Sequence, residues 1–217
     1  MRLWNGWGNE DSDLTMELSD GLRALLEALV GSGTALSQAT LNEVIAKVPD
    51  TRLDDHPLIK TDPETRVRHA RGQSLPDWLE MHSGNVDTFP DGVAFPESSA
   101  QVQELLAHAK ENNLIVIPYG GGTSVVGHIN PETSDKPVLT IDMGKMNSML
   151  SIDVESQLAT FGAGAPGPMV EEELKKHGYT LGHFPQSWEL STLGGWVASR
   201  SSGQQSLHYG RIENMFA

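Results

Sequence analysis

Gly120, Gly121 and Gly122 stand in a row where the apolar stretch IVIPY ends, and Thr123 and Ser124 follow them. Glycine permits positive φ and leaves room for another group to approach the peptide plane. Consecutive N–H groups in such a turn form a concavity that holds anions. Hydroxyls beside it can donate to phosphate oxygens. The stretch from Pro118 to Ser124 therefore reads either as a phosphate cradle or as an ordinary tight turn. It is not a Walker loop, since no Lys-Ser or Lys-Thr follows the glycines.

A second stretch, GAGAPG at Gly162–Gly167, formally matches G-x-G-x-x-G. Pro166 removes an N–H where a pyrophosphate would be held. The downstream GYTLGHFP is too short and broken to be a second strand ending in a ribose-binding acid. A strand-to-helix turn is the simpler reading. A third stretch starts at Pro185 and combines Ser187, Ser191, Thr192, Ser199, Ser201 and Ser202 with Gly194, Gly195 and Gly203. It is too rich in glycine and hydroxyls for an ordinary helix interior. Leu193, Trp196 and Val197 nevertheless mark it as partly buried, and buried polar groups need partners. Either a large ligand with many acceptors supplies them, or this is a Ser/Gly-rich surface loop. The eight histidines lack metal-ligand spacing and read as surface or structural groups, with no metal site expected. Glu171–Glu173 read as the solvated first turn of a helix.

The elements that must position these stretches follow from periodicity and caps. Ser19 to Gly31 predicts a helix with an acidic start and a glycine stop. Thr40 and Glu43 have capping-box spacing, opening a second helix that ends before Pro49. Residues 49–75 read as a long irregular connection, and Ser74 as the N-cap of a short helix. DGVAFP, LIVIP, KPVLTIDM and SQLATFGAG read as strands, with GKMNSMLSIDVE as a connection between the last two. Val102, Leu105, Leu106 and Ala109 mark an amphipathic helix before LIVIP. GPMVEEELKKHGY is another helix, stopped by Gly178. Strands and helices thus alternate from residue 92 onward, which favours a mixed α/β or α+β domain after a small helical segment.

A chain of 217 residues with 38% hydrophobic and 20% charged content can build a core. Its formal net charge of −14 opposes nucleic-acid and anionic-membrane binding. Amide groups can still hold a small anion. There is no cysteine, hence no disulfide, thiolate nucleophile or thiolate metal site. No apolar run reaches bilayer-spanning length. The N-terminal MRLWNGWGNEDSDL has no signal-peptide pattern, so a cytoplasmic protein is expected. The closing YGRIENMFA carries no helix end signal, as though the chain were cut short.

With these residues in view, the chain resembles the flavoproteins with a vanillyl-alcohol-oxidase-type (PCMH-type) FAD-binding domain. Among them it is most similar to the alkyldihydroxyacetonephosphate synthase (alkylglycerone-phosphate synthase) family and its bacterial relatives. The likeness rests on WNGWG at Trp4–Gly8, IPYGGGTSV, GHFPQSWELSTLGGWVASRSSG and YGRIEN, in the family's order. It implies an α+β fold, with residues 1–85 as a helical segment and connection and residues 86–217 as the first part of the FAD domain. It also implies that Pro118, Tyr119, Gly120, Gly121, Gly122, Thr123 and Ser124 hold the FAD diphosphate. Gln186, Ser187, Trp188, Glu189, Leu190, Ser191 and Thr192 would lie beside the ring system and ribityl chain, as would Ser199, Arg200, Ser201 and Ser202.

Gln186 replaces the family's Asp and Ser199 its Thr, which puts those contacts in doubt. His128 is off register for covalent flavin attachment, so noncovalent FAD is expected. The implied reaction exchanges a fatty acid for a fatty alcohol on a small-molecule substrate, acyl-dihydroxyacetonephosphate. Its catalytic residues would lie in a part absent from these 217 residues. Homodimerisation of a full-length form stays open. So do two other readings, an FAD-dependent D-2-hydroxy-acid dehydrogenase and a noncatalytic cofactor-binding fragment.

Overall fold

A computed structural model describes residues 2–11, 17–34 and 36–217. Residues 1 and 12–14 of the N-terminal MRLWNGWGNEDSDL lie outside the described residues. Helix α1 (Asp20–Val30) is capped by the Ser19 hydroxyl, which accepts from the Leu22 N–H at 3.3 Å, and Gly31 closes it at φ 86°. None of its residues is buried. Helix α2 (Leu41–Ile45) opens with the expected capping box, the Thr40 N–H donating to the Glu43 carboxylate at 2.7 Å. It is shorter than its pattern suggests, because the chain tightens into i→i+3 turns over Lys47 and Val48 before Pro49.

The stretch expected to be irregular holds two elements. Strand β1 (Ile59–Lys60) adds to the sheet edge, and helix α3 (Pro63–Arg68) starts on an Asp62 cap with Pro63 in its first turn. Asp-Pro-Glu is a helix-start signal. It is hard to see because the helix ends after six residues. Helix α4 (Leu75–Ser83) has Ser74 as N-cap, as the sequence predicts, and ends on Gly84 at φ 71°.

Strand β2 (Gly92–Ala94), helix α5 (Ser99–Glu111), strand β3 (Ile115–Tyr119) and strand β4 (Val138–Asp142) follow. The first sheet has the order β1-β2-β4-β3; β2, β4 and β3 run parallel and β1 antiparallel. Helix α5 buries Leu105 and Ala109 against it, while Leu106, on the expected apolar face, is exposed. Strand β5 (Met149–Asp153) forms within the expected connection and pairs antiparallel with β6 (Leu158–Phe161). Helix α6 (Gly167–Lys175) packs Val170 and Leu174 with Ala165. Two short helices, α7 (Leu193–Ser199) and α8 (Ser206–Tyr209), complete the elements used below. The α+β reading is thus the observed one. Among the described residues no helix is long and apolar enough to cross a membrane.

Charged groups lock the helical segment to the sheet. Asp91, at the start of β2, is almost fully buried and accepts from Arg52 Nε at 2.8 Å and Nη2 at 2.7 Å. Its second oxygen also takes the Val138 N–H at the start of β4, at 2.7 Å. Burial alone would raise the Asp91 carboxyl, but Arg52 and the Val138 N–H outweigh it and hold it below the ordinary carboxylate range. A depressed folded value means the contribution is complete above the unfolded value of about 3.9 and is lost as pH falls through the folded one. Asp91→Asn should therefore cost about 2 kcal/mol at neutral pH, Arg52 being half exposed. Denaturant melts of both proteins should show the difference shrinking at pH 3; an equal gap at both pH values would contradict the assignment.

Candidate cofactor site

The parallel strands β3 and β4 end side by side, with Tyr119 paired to Asp142, and the glycine loop leaves from Tyr119. Crevices at the carboxyl ends of parallel strands are where α/β sheets place ligands. None of the N–H groups from Gly120 to Ser124 donates to an acceptor among the described residues. Native proteins rarely leave a run of amides without partners. The contrast with GAGAPG is direct. There the Gly162 N–H donates to Ser148 and the Gly164 N–H to Met146, each at 2.9 Å. GAGAPG is the strand-to-helix turn between β6 and α6, with the amides of Gly162, Gly164 and Ala165 bonded within the protein.

The glycines of the loop have a second reason to be glycine, internal to the fold. A Cβ on Gly121 would land on the Leu190 carbonyl, and one on Gly120 on the Thr192 hydroxyl. Gly122, at φ 66°, lies under the Tyr119 hydroxyl. What comes so close on the Cα side is therefore the 190–192 segment and Tyr119, while the loop N–H groups have no acceptor among the described residues. Burial pushes the Tyr119 phenol up to about 12, so it adds no negative charge beside the loop.

The same contact brings two of the three expected stretches together. Thr192 caps α7 by accepting from the Gly195 N–H at 3.3 Å and bridges to Pro166. Ser191 is buried, accepting from Trp196 Nε1 at 2.6 Å and donating to the Ser187 carbonyl at 2.8 Å. Helix α7 forms despite its glycines, because Gly194 sits flush against Ala163 and Thr192 satisfies Gly195. Other expected residues are spent on the protein. Ser199 bonds back to the Gly195 carbonyl at 2.8 Å, and Ser202 meets Ser206 at 3.1 Å. Arg200, in the left-handed region at φ 53°, pairs with Glu213 at 2.9 Å. Gln186 and Glu189 are exposed.

His183 lies in this block, is 1% exposed, and meets the Ser201 hydroxyl through Nε2 at 3.0 Å. Its Nδ1 and the Trp188 Nε1 are buried without a partner among the described residues. Burial lowers the His183 imidazole, which favours its neutral form. The unpartnered amides fit an anionic ligand such as a diphosphate, and the two buried nitrogens mark further polar groups of this block that lack a partner among the described residues.

Residues outside the three stretches hold the loop. The Gln73 N–H donates to the Ser124 carbonyl at 2.6 Å. Asn130 accepts from the Gly72 N–H at 3.1 Å and donates to Asp77 at 2.6 Å. His69 meets Thr65 through Nδ1 at 2.7 Å and Asp142 through Nε2 at 3.0 Å, with its ring centroid 4.7 Å from that of Tyr119. No spacing rule singles out these residues, because, apart from Thr65 beside His69, their hydrogen-bond partners are 51 to 73 positions away. A cavity of about 530 Å³ beside β5, β6 and α6, lined by Phe161, Val170 and Leu181, includes no residue of the glycine loop.

The family described as FAD binding domain matches residues 90–217. The alkyldihydroxyacetonephosphate synthase of Dictyostelium discoideum is 41% identical over 157 residues, which cover 72% of this chain and 26% of that protein. A solved alkyldihydroxyacetonephosphate synthase structure superposes on 98% of this chain and 46% of its own, at 32% identity and a TM-score of 0.82. The mitochondrial D-lactate dehydrogenase [cytochrome] 1 of Saccharomyces cerevisiae is less similar, at 29% identity over 63% of this chain and 23% of that protein. The chain thus spans between about a quarter and a half of the proteins it matches. With a match over more than half of its length, and with open amides at the strand end, this chain belongs to the FAD-binding domain family.

Proposed function

We propose that these residues are the FAD-holding part of an enzyme of the alkyldihydroxyacetonephosphate synthase type, acting on a small-molecule substrate. The observation that carries the cofactor reading is the run of open amides from Gly120 to Ser124 at the ends of β3 and β4. These amides would hold the diphosphate, with Pro118 and Tyr119 fixing the loop's exit from the strand. Ser187, Ser191 and Thr192 pack the second segment beneath the loop. Trp188 Nε1, a donor, and His183 Nδ1 are buried polar atoms of the same block without a partner among the described residues, and the bound group would supply partners for them. Bound flavin supplies an electron sink; the protein supplies position and a water-poor wall. The division at residues 85/86 belongs to the same reading and is supported by the family match beginning at residue 90. So do the cytoplasmic location and noncovalent FAD. His128 is exposed and hydrogen-bonded to Ser124 at 3.1 Å.

The synthase reading outranks the D-lactate dehydrogenase one on identity, 41% against 29%. The full-length protein, given acyl-dihydroxyacetonephosphate and a fatty alcohol, should form the alkyl product, and the 217 residues alone should form none. Anaerobic D-lactate should leave its flavin coloured; bleaching would favour the dehydrogenase. Protein purified without yellow colour would favour a noncatalytic fragment.

Thr123→Asp places a carboxylate beside the open amides and should weaken FAD binding at least tenfold by titration. Unchanged affinity would remove the diphosphate from this loop. Acid precipitation of the flavin-loaded protein should leave all the yellow colour in the supernatant. Colour retained in the pellet would show a covalent bond.

A further inference from the structure

Residues 2–9 fold into a tight turn that leans on the back of the glycine loop. Arg2 and Asn9 pair as an antiparallel bridge, and the Leu3 N–H donates to the Gly8 carbonyl at 3.0 Å. Gly8 adopts φ 98°, which only glycine takes without strain. Trp4 packs on the core formed by Val44, Val67, Met81 and Phe89. Arg68 Nη1 donates to the Arg2 carbonyl at 2.9 Å. The backbone of Arg2 is therefore held by its bridge to Asn9 and by Arg68.

Arg2 Nη1 donates to the Gly121 carbonyl across 119 positions of sequence. The chain has no cis peptide bond, so the Gly121–Gly122 unit is planar and trans. In such a unit the C=O and the N–H point to opposite sides. Holding the Gly121 carbonyl against the guanidinium turns the Gly122 N–H away from Arg2, and that N–H has no acceptor among the described residues. Hydrogen bonds to a charged donor are the stronger kind. The packing of Gly121 against the Leu190 carbonyl limits where the chain runs, and the guanidinium contact adds a fixed direction for the Gly121 carbonyl. Arg2 also places a positive charge close to the loop in a chain of net charge −14.

We propose that Arg2 is a positioning residue for the diphosphate cradle: its guanidinium fixes the Gly121–Gly122 peptide so that the Gly122 N–H is presented to the diphosphate. The WNGWG turn then works as the frame that aims this side chain. The proposal rests on the reading of the glycine loop as the FAD diphosphate site.

The test uses the full-length protein stripped of flavin and titrated with FAD, with ADP and with adenosine. ADP shares the diphosphate, and adenosine lacks it. Arg2→Ala should weaken FAD and ADP by a similar factor of about ten, the usual worth of a hydrogen bond to a charged group. Adenosine binding and the melting temperature of the flavin-free protein should stay close to wild type. Arg2→Lys should restore part of the loss. If Arg2→Ala does not fold, Arg2→Met carries the comparison, since it keeps the packing of the stem and removes the donor. Wild-type affinity for FAD and ADP in the folded variant would overturn the proposal. So would an equal loss for adenosine, which would mean general loosening. Thr123→Asp in the same titrations separates the two levels. If it weakens FAD and ADP while Arg2→Ala does not, only the clamp fails; if neither variant has an effect, the diphosphate reading fails with it.

Discussion

The close approach of two backbones, at Gly121 and at the Leu190 carbonyl, is the constraint on which the site depends. No side chain fits between them, so residue 121 must be glycine whatever the ligand, and a side chain at 120 would displace the Thr192 hydroxyl. The contact joins the end of strand β3 to the segment that caps α7, 70 residues later in the chain. From there the path continues through the Thr192–Pro166 bridge and the Leu193 N–H, which donates to the Ala165 carbonyl at 2.8 Å, into the start of α6. The two halves of the family match are held together by main-chain packing rather than by large apolar side chains. Such packing has little tolerance, because a peptide group cannot change rotamer to make room.

The electrostatic design follows from the same constraint. A chain of net charge −14 cannot attract a diphosphate through its overall field. It can do so locally with fixed amide dipoles, which carry no titratable charge and lose no side-chain entropy on binding. Amides serve only if their planes are set in advance, because a peptide free to rotate pays for its ordering when the ligand arrives. This explains how much of the surrounding protein is devoted to the loop. The Gln73 N–H holds the Ser124 carbonyl, Asn130 ties Gly72 to Asp77, and Arg2 holds Gly121. Each of these braces acts on a carbonyl or a neighbouring strut and leaves the loop N–H groups open. The helical segment before residue 85 is thereby part of the site's support, although its own sequence carries no phosphate signal.

Much of this was legible in the residues. The capping box at Thr40–Glu43, the Ser74 N-cap, the amphipathic run of α5 and the apolar strands β3 and β4 are local patterns, and local patterns report local structure. The glycine loop and the Ser/Gly block were legible as a site because both combine small residues with hydroxyls next to buried elements. Strands β1 and β5 were not legible. A strand of two residues has no periodicity to read, and MLSID sits among turn formers that mask its partner across the hairpin. The braces on the loop were illegible for a different reason. Arg2, Gln73, Asn130 and His69 have ordinary identities, and only the three-dimensional fold gives them a role.

Two glycine motifs in this chain look alike on paper and differ in what their N–H groups do. At GAGAPG the glycines lie against the Met143 and Met146 carbonyls, and the amides of Gly162 and Gly164 are bonded within the fold. At Gly120–Gly122 the glycines are pressed just as closely against the chain, yet the amides are left without acceptors. Close packing accounts for the absence of side chains in both places, so glycine content cannot tell a cradle from a turn. The fate of the N–H groups can. A turn that satisfies its own amides has nothing to offer an anion, whereas one that is held rigid from the carbonyl side and left open on the amide side keeps a desolvation cost that a ligand relieves. Of the two motifs the strand-end loop is the one that combines both conditions, which is why the phosphate argument falls on Gly120–Ser124 and not on the motif with the more familiar spelling.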